Sequence, residues 1–369
     1  MRTPTLLQYA HAWRVGFSIA ADDRGVKMMR IDTSREMFTA IDLFSGCGGL
    51  SLGLRQAGYE VLAAVEVDSK AQETYRLNHP EVQLYSTDIR KLDPAVLREE
   101  LGLGVGELKL LAGCPPCQGF SRLRTRNKVA SIEDPRNNLV LEFQRFAEAL
   151  RPQNILLENV PSLEGDVRFR SFVAALEGMG YKCLVKVIDA ADYGVPQRRK
   201  RLIMLASLLG LPSLPEAVAE RSTVRNALDG LREPGEIDDP LHSIPEKRSE
   251  AVRRIIGLIP KDGGSRRDLP EHLVLNCHKN STGFSDVYGR MAWDKVAPTI
   301  TSGCHNPSKG RFLHPEFDRT ITLREAALLQ GFPRDYKFVV AHGKESIALM
   351  IGNALPPPLI AAHAGTFVS

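Results

Sequence analysis

From Phe38 onward, short apolar runs alternate with amphipathic segments at helical spacing, the pattern of a parallel sheet covered by helices. Ala40-Ile41-Asp42-Leu43-Phe44 predicts a buried first strand. The segment after it places Leu50, Leu54 and Ala57 on one face and stops at Gly58, which predicts a helix. Val61–Val65 predicts a second strand, Val82–Leu84 a weaker third, Leu108–Ala112 a fourth and Ile155–Leu157 a fifth. Lys182–Ile188 and Arg201–Ala206 read as two closing strands.

Beyond Leu208 the periodicity weakens. Residues 208–320 carry many Pro, Gly and His and read as a loop-rich second domain. Regular pattern returns at Leu323–Leu329, a short helix stopped by Gly331 and Pro333. Residues 321–369 then return to the first domain, and Gly352-Asn353-Ala354-Leu355 with three prolines predicts a loop and a final helix. Residues 1–37 do not fit the pattern and read as a peripheral extension or a misassigned start, Met28, Met29 and Met37 being the alternatives.

Composition adds bounds. The 369 residues suffice for one large domain or two modest ones, and 43% hydrophobic with 25% charged residues is the balance of a globular protein. Six scattered cysteines point to a reduced, intracellular protein rather than a disulfide framework. No apolar stretch is expected to span a membrane, and no signal-peptide core is present. A net charge of +4 names no partner, but its distribution is suggestive. Arg122, Arg124, Arg126 and Lys128 form one basic run and Arg198-Arg199-Lys200-Arg201 another, both suited to phosphate contacts.

The chemistry concentrates around Gly113-Cys114-Pro115-Pro116-Cys117-Gln118-Gly119-Phe120-Ser121-Arg122, just past the fourth strand. Ligands of open α/β sheets lie at the carboxyl ends of strands, and two prolines make a stiff loop that would present Cys117. Nucleophile, redox pair and plain structure all fit an isolated Cys-x-x-Cys; zinc fits poorly, because no second pair completes four ligands. The turn after the first strand, Phe44-Ser45-Gly46-Cys47-Gly48-Gly49, would let a cofactor approach the backbone. Glu66, at the end of the second strand, could hold ribose hydroxyls. Ser51 takes the third glycine position of a dinucleotide fingerprint and no Walker lysine is present, so a nucleoside cofactor without pyrophosphate fits better; S-adenosylmethionine is the candidate. Asp88 could accept a hydrogen bond from its adenine amino group. Glu158, directly after the fifth strand, lies one strand from Cys117, and Asn159 could tie adjacent loops together.

Taken in order, these segments resemble the DNA (cytosine-5)-methyltransferase family from Phe38 to the C-terminus. Asp42–Gly49 resembles its adenosylmethionine loop, Pro115-Pro116-Cys117-Gln118 its nucleophile loop and Glu158-Asn159-Val160 its acid motif. Gln197–Arg201 resembles the arginine motif, and Arg324–Pro333 and Gly352-Asn353 the last two. The resemblance implies a Rossmann-like α/β methyltransferase fold over 38–207, with 208–320 as a smaller target-recognition domain. It implies transfer of a methyl group from S-adenosylmethionine to carbon 5 of a flipped cytosine in a specific double-stranded sequence.

By resemblance, Cys117 adds to cytosine C6, Glu158 hydrogen-bonds N3, Arg201 contacts O2, Arg199 supports the site, Pro116 shapes the loop and Asn159 helps hold it. Phe44, Gly46, Gly48, Glu66, Asp88 and Asn353 would bind the cofactor, and Gln118, Ser121, Arg122 and Arg124 the DNA. Cys114, where the family frequently has glycine, is read as a bystander, and Val67 stands where an aromatic is sometimes found. Cys277-His278 and Cys304-His305 are poor ligand spacing, so no metal site is expected. The implied partners are double-stranded DNA and a cognate restriction endonuclease, for a monomer in the prokaryotic cytoplasm, at the nucleoid, with no membrane attachment. A tRNA cytosine-5 methyltransferase and a catalytically silent nucleic-acid-binding relative are the alternatives.

Overall fold

The computed structural model describes residues 17–21, 27–31, 37–116, 138–270 and 286–368. Contacts divide the chain into Met1–Phe38 and Thr39–Ser369. The first unit contains an antiparallel ribbon, β1 (Phe17–Ala21) with β2 (Lys27–Ile31), where the sequence pattern predicted no strands.

The second unit is built on a seven-stranded sheet. Its strands are β3 (Thr39–Leu43), β4 (Glu60–Val65), β5 (Gln83–Tyr85), β6 (Leu110–Gly113), β7 (Asn154–Asn159), β8 (Lys182–Asp189) and β9 (Lys200–Ser207), in spatial order β5-β4-β3-β6-β7-β9-β8. The strands from β5 to β7 are parallel, whereas β9 enters antiparallel between β7 and β8. All seven strands read from the sequence are present. Helices α1 (Gly49–Gln56), α2 (Ser69–Asn78), α3 (Pro94–Glu100), α4 (Leu139–Leu150) and α5 (Val167–Gly178) accompany the first five strands.

One core cluster joins Ile41, Leu43, Leu111, Ile155, Leu157 and Met204 of the sheet to Phe143 and Phe146 of α4 and Phe172 of α5. The four central strands are so deeply buried that their sequences read as continuous apolar runs rather than alternation.

Residues 208–320 contain only two short α-helices, α6 (Val224–Leu228) and α7 (Glu250–Leu258), among the described residues. This region is not set apart by its packing. Val224, Leu241, Ile300 and Phe312 share a core cluster with α8 (Leu323–Leu329) and α9 (Lys344–Asn353). The end of the chain is two helices, α9 and α10 (Pro357–Gly365), so Gly352 and Asn353 close a helix instead of lying in the expected loop. Pro356 fixes the break between them, since neither it nor the prolines after it can donate to a continuing helix. Against the expectation of no membrane-length apolar stretch, the 22 residues Lys344–Gly365 that carry α9 and α10 are long and apolar enough for one by composition, but 72% of their most apolar part is buried in the protein's own core.

Candidate active site

The strand order reverses between β3 and β6, whose parallel carboxyl ends therefore flank an open crevice. A cavity of about 850 Å³ occupies it, within the range of small-molecule sites.

At one end, the chain leaves β3 through Phe44 (φ 65°), Gly46 (φ 55°) and Gly48 (φ 97°) before entering α1. A side chain at Gly48 would meet His79 Nε2 and Tyr336 Oη at 2.6 Å, so the positive φ and the close packing both demand glycine. Glu66 closes this turn from the end of β4. Its carboxylate accepts the Gly46 N–H at 2.7 Å, the Asp68 N–H at 2.7 Å and the Val67 N–H at 2.9 Å. Burial raises its proton affinity, and the three backbone donors oppose that rise. Asp88 lines the same cavity, where Arg90 Nε approaches its carboxylate at 2.9 Å and holds it ionised, down to about 2. Phe44, Gly46, Val67 and Asn353 complete this end.

At the other end stands the loop after β6. Gly113 lies so close to β3 that a Cβ there would be 2.5 Å from the Leu43 carbonyl, and the Cys114 N–H donates to that same oxygen at 3.3 Å. Asn159, at the end of β7, donates from Nδ2 to the Pro115 carbonyl at 2.8 Å and so ties the two strand ends together. Glu158 is 2% exposed; Arg201 Nε binds its Oε1 at 2.8 Å and the Cys114 thiol donates to its Oε2 at 2.9 Å.

Strand alternation sorts the second basic cluster. Arg199 and Arg201 turn inward while Arg198 and Lys200 are exposed. Arg199 donates to the carbonyls of Ile300 (3.0 Å), Gly352 (2.9 Å) and Ala354 (3.3 Å), joining the start of β9 to the Ile300 segment and to the carboxyl end of α9. Burial and the nearby Arg201 lower its proton affinity, but a guanidinium remains charged at neutral pH.

Cys114, Pro115, Pro116, Glu158, Asn159, Arg199 and Arg201 line the cavity together with the residues of the Gly-rich turn. Gly48 supports that turn from beneath and is not among the lining residues. Cys117, Gln118, Ser121, Arg122 and Arg124 lie outside the described residues, as do Cys277 and His278. Cys304 is buried in the second core cluster, where desolvation pushes its thiol up to about 12.

Several contributors escaped sequence reasoning. Lys70 Nζ donates to Ser346 Oγ at 2.9 Å across the cavity rim, a pairing over 276 residues with no local signal. Under the Gly-rich turn, Ser51 Oγ donates to Asp42 Oδ2 at 2.6 Å and meets Tyr75 Oη at 2.7 Å. Ser51 breaks the dinucleotide fingerprint because its hydroxyl serves this buried carboxyl.

Comparison with known proteins agrees with the geometry. The family described as C-5 cytosine-specific DNA methylase matches residues 38–368. Type II methylase M.HgiDII of Herpetosiphon aurantiacus is 37% identical over 339 residues, covering 86% of this chain and 92% of its own. Type II methyltransferase M1.HphI of Haemophilus parahaemolyticus is 33% identical over 335 residues, covering 88% and 85%. Among solved structures, a prophage-encoded E. coli DNA modification methyltransferase superposes with a TM-score of 0.69 at 26% identity, over 90% of this chain and 98% of that one. Entamoeba histolytica methyltransferase EhMeth, at 18% identity and a TM-score of 0.63 over 90% and 98%, shares the fold. The chain belongs to the C-5 cytosine-specific DNA methylases, enzymes that transfer a methyl group from S-adenosylmethionine to cytosine C5 in DNA.

Proposed function

We propose a division of labour in which Cys117, Glu158 and Arg201 act on the base, Arg199 supports them, and Phe44, Gly46, Glu66, Asp88 and Asn353 bind the methyl donor. The observation that carries this reading is the single cavity lined by Glu158 and Arg201 at one end and by Glu66 and the Gly-rich turn at the other. The residues suit the donor. Glu66 is anchored by three backbone N–H groups and retains acceptor capacity for ribose hydroxyls. No lysine of a phosphate-binding loop is present, which matches a nucleoside without pyrophosphate. S-adenosylmethionine, when bound, supplies the methyl group that C5 takes.

Cytosine C5 is a poor nucleophile until the ring's conjugation is broken. The Cys117 thiolate adds to C6, and Glu158, protonated, donates to N3 and neutralises the charge that develops there. Arg201 both holds Glu158 and reaches toward the base O2. Arg199 acts at one remove, by fixing the segments that frame the site. Loss of the C5 proton and departure of Cys117 restore the aromatic ring. A base stacked in a duplex is out of reach, so the target is flipped into the cavity.

Residues 208–320 read the target sequence in the major groove, with Gln118, Ser121, Arg122 and Arg124 contacting DNA near the flipped base. The reading extends to a monomer in the cytoplasm, at the nucleoid, that protects sites from a cognate endonuclease; the relatives' names, Type II methylase and Type II methyltransferase, support the last of these.

The test uses duplex DNA with 5-fluorocytosine at the methylated position, with fluorinated tRNA in parallel. Fluorine cannot leave as the C5 proton does, so a covalent adduct through Cys117 should survive denaturation only when S-adenosylmethionine is supplied. Cys117→Ser should form none. An adduct on tRNA alone overturns the DNA reading, and an adduct with Cys117→Ser overturns the nucleophile.

A further inference from the structure

The role assigned to Glu158 requires its carboxyl group to meet one edge of the base, so whatever orients that group shares in the reaction. Oε1 is held by Arg201 from β9, at 2.8 Å. Oε2 is held by the Cys114 thiol from the end of β6, at 2.9 Å. Cys114 is itself fixed on both sides: its N–H binds the Leu43 carbonyl, and the carbonyl of the next residue, Pro115, accepts from Asn159. Burial raises the Cys114 thiol well above its ordinary value, and the neighbouring Glu158 carboxylate adds to the rise; Arg201 and Arg199 oppose it. The sulfur therefore keeps its proton and acts as a donor, not as a second nucleophile. A buried carboxylate oxygen deprived of its donor is costly and free to turn. Glycine at this position would offer no side-chain donor at all.

We propose that Cys114 is a positioning residue, whose S–H on Oε2 works with Arg201 on Oε1 to hold the Glu158 carboxyl in the orientation that receives cytosine N3. The proposal rests on Glu158 being the acid. A thiol suits the task because it donates to Oε2 without taking the charge of the site, and leaves the rest of the carboxyl group free to meet the base.

Four variants of the full-length protein test it: Cys114→Ala, Cys114→Ser, Glu158→Gln and Glu158→Ala. S-adenosylmethionine binding by calorimetry serves as the fold control and should stay within about twofold of the parent in all four, since none removes a cofactor contact. Cys114→Ala should lower kcat on DNA about tenfold, the low end for a hydrogen bond to a charged group. Cys114→Ser, which keeps a donor, should recover kcat to within about threefold of the parent. In the infrared, the S–H stretch lost in Cys114→Ala should lie at a hydrogen-bonded frequency in the parent and move to the free-thiol position in Glu158→Ala.

A Cys114→Ala protein with parental kcat, or a serine variant no better than alanine, overturns the proposal. An unmoved S–H band on loss of Glu158 does the same. Glu158→Gln should lose about two to four powers of ten in turnover. Near-normal turnover there removes the acid reading and this inference together. Impaired Glu158→Gln beside unimpaired Cys114→Ala removes the inference alone.

Discussion

In the sheet, backbone groups pair with one another; between residues 208 and 320, where the described residues form only isolated bridges, buried arginines take over part of that task. Arg290 is fully buried and donates to the carbonyls of His314, Phe317, Ile256 and Ile259 and to Asp318 at 2.9 Å. Arg311 serves the carbonyls of Gly263, Gly264 and Arg290. At the join with α8, Arg319 binds both Glu233 and Glu325, and Arg324 binds Asp239 and the Tyr336 carbonyl. The five donors of a planar guanidinium let one side chain close several carbonyls that no neighbouring strand can reach. Irregular backbone can thus be as fully satisfied as a sheet, but through single residues.

That concentration predicts where the two regions break. Arg290→Ala should destabilise the protein most, by about 3–5 kcal/mol, because it orphans several carbonyls as well as breaking an ion pair. Urea unfolding would check this, and a loss below 1 kcal/mol would refute the hub account. Leu205→Ala, in the fully buried middle of β9, should cost roughly 2–4 kcal/mol by cavity formation. Both variants should unfold in one transition, since the core cluster of residues 208–320 also takes in Cys47 of the turn after β3 and Ala71 of α2. Separate transitions by far-UV dichroism and by tryptophan fluorescence in a Trp13→Phe background, which leaves Trp293 as the reporter, would show that the arginine-held region melts independently.

A third contrast lies in pH. Burial drives the Asp42 carboxyl in β3 up to about 8 from 3.8, with Glu66 adding and Ser51 opposing. The folded protein therefore keeps a proton that the unfolded chain releases. Stability is full below about pH 4 for this group and is lost as pH rises toward 8. Asp42→Asn, neutral throughout, should flatten that decline between pH 5 and 8, whereas Asp239, whose proton affinity Arg324 lowers, contributes a constant stability and no slope over the same interval. The smallest effect is expected for a chain starting at Met37. Residues 1–38 form their own contact unit, so unfolding free energy of the remainder should change by less than about 0.5 kcal/mol, with methylation retained. Loss of the folded core in that protein would contradict the division.

The same contrast governs what could be read from sequence. The strands were legible because burial on both faces demands unbroken Val, Ile, Leu and Ala, and their ends were marked by glycine and proline. Both ends of the cavity were legible because they sit at strand ends, where ligands of such sheets bind. The arginine hubs were not, since their acceptors are carbonyls whose identity leaves no trace in the side-chain pattern. Nor was Cys114 legible as a partner of Glu158: the pairing spans two strands, and the Cys-x-x-Cys spacing drew attention to the other cysteine. The helical state of Gly352 and Asn353 was hidden by the prolines just beyond them, which end α9 rather than exclude it.

The pairing of β7 with β9 has a consequence for how this site can change over evolutionary time. Glu158 stands opposite Ile203, so Arg201, two residues along, falls on the same face and reaches the acid diagonally. The partnership is therefore written in a frame of two. One residue gained or lost at the start of β9 would send both inward arginines outward and bring Arg198 and Lys200 toward the acid, with no active-site residue itself replaced. Substitutions can be tested one at a time in such a segment, whereas a single insertion or deletion between Arg199 and Ile203 reverses both faces at once.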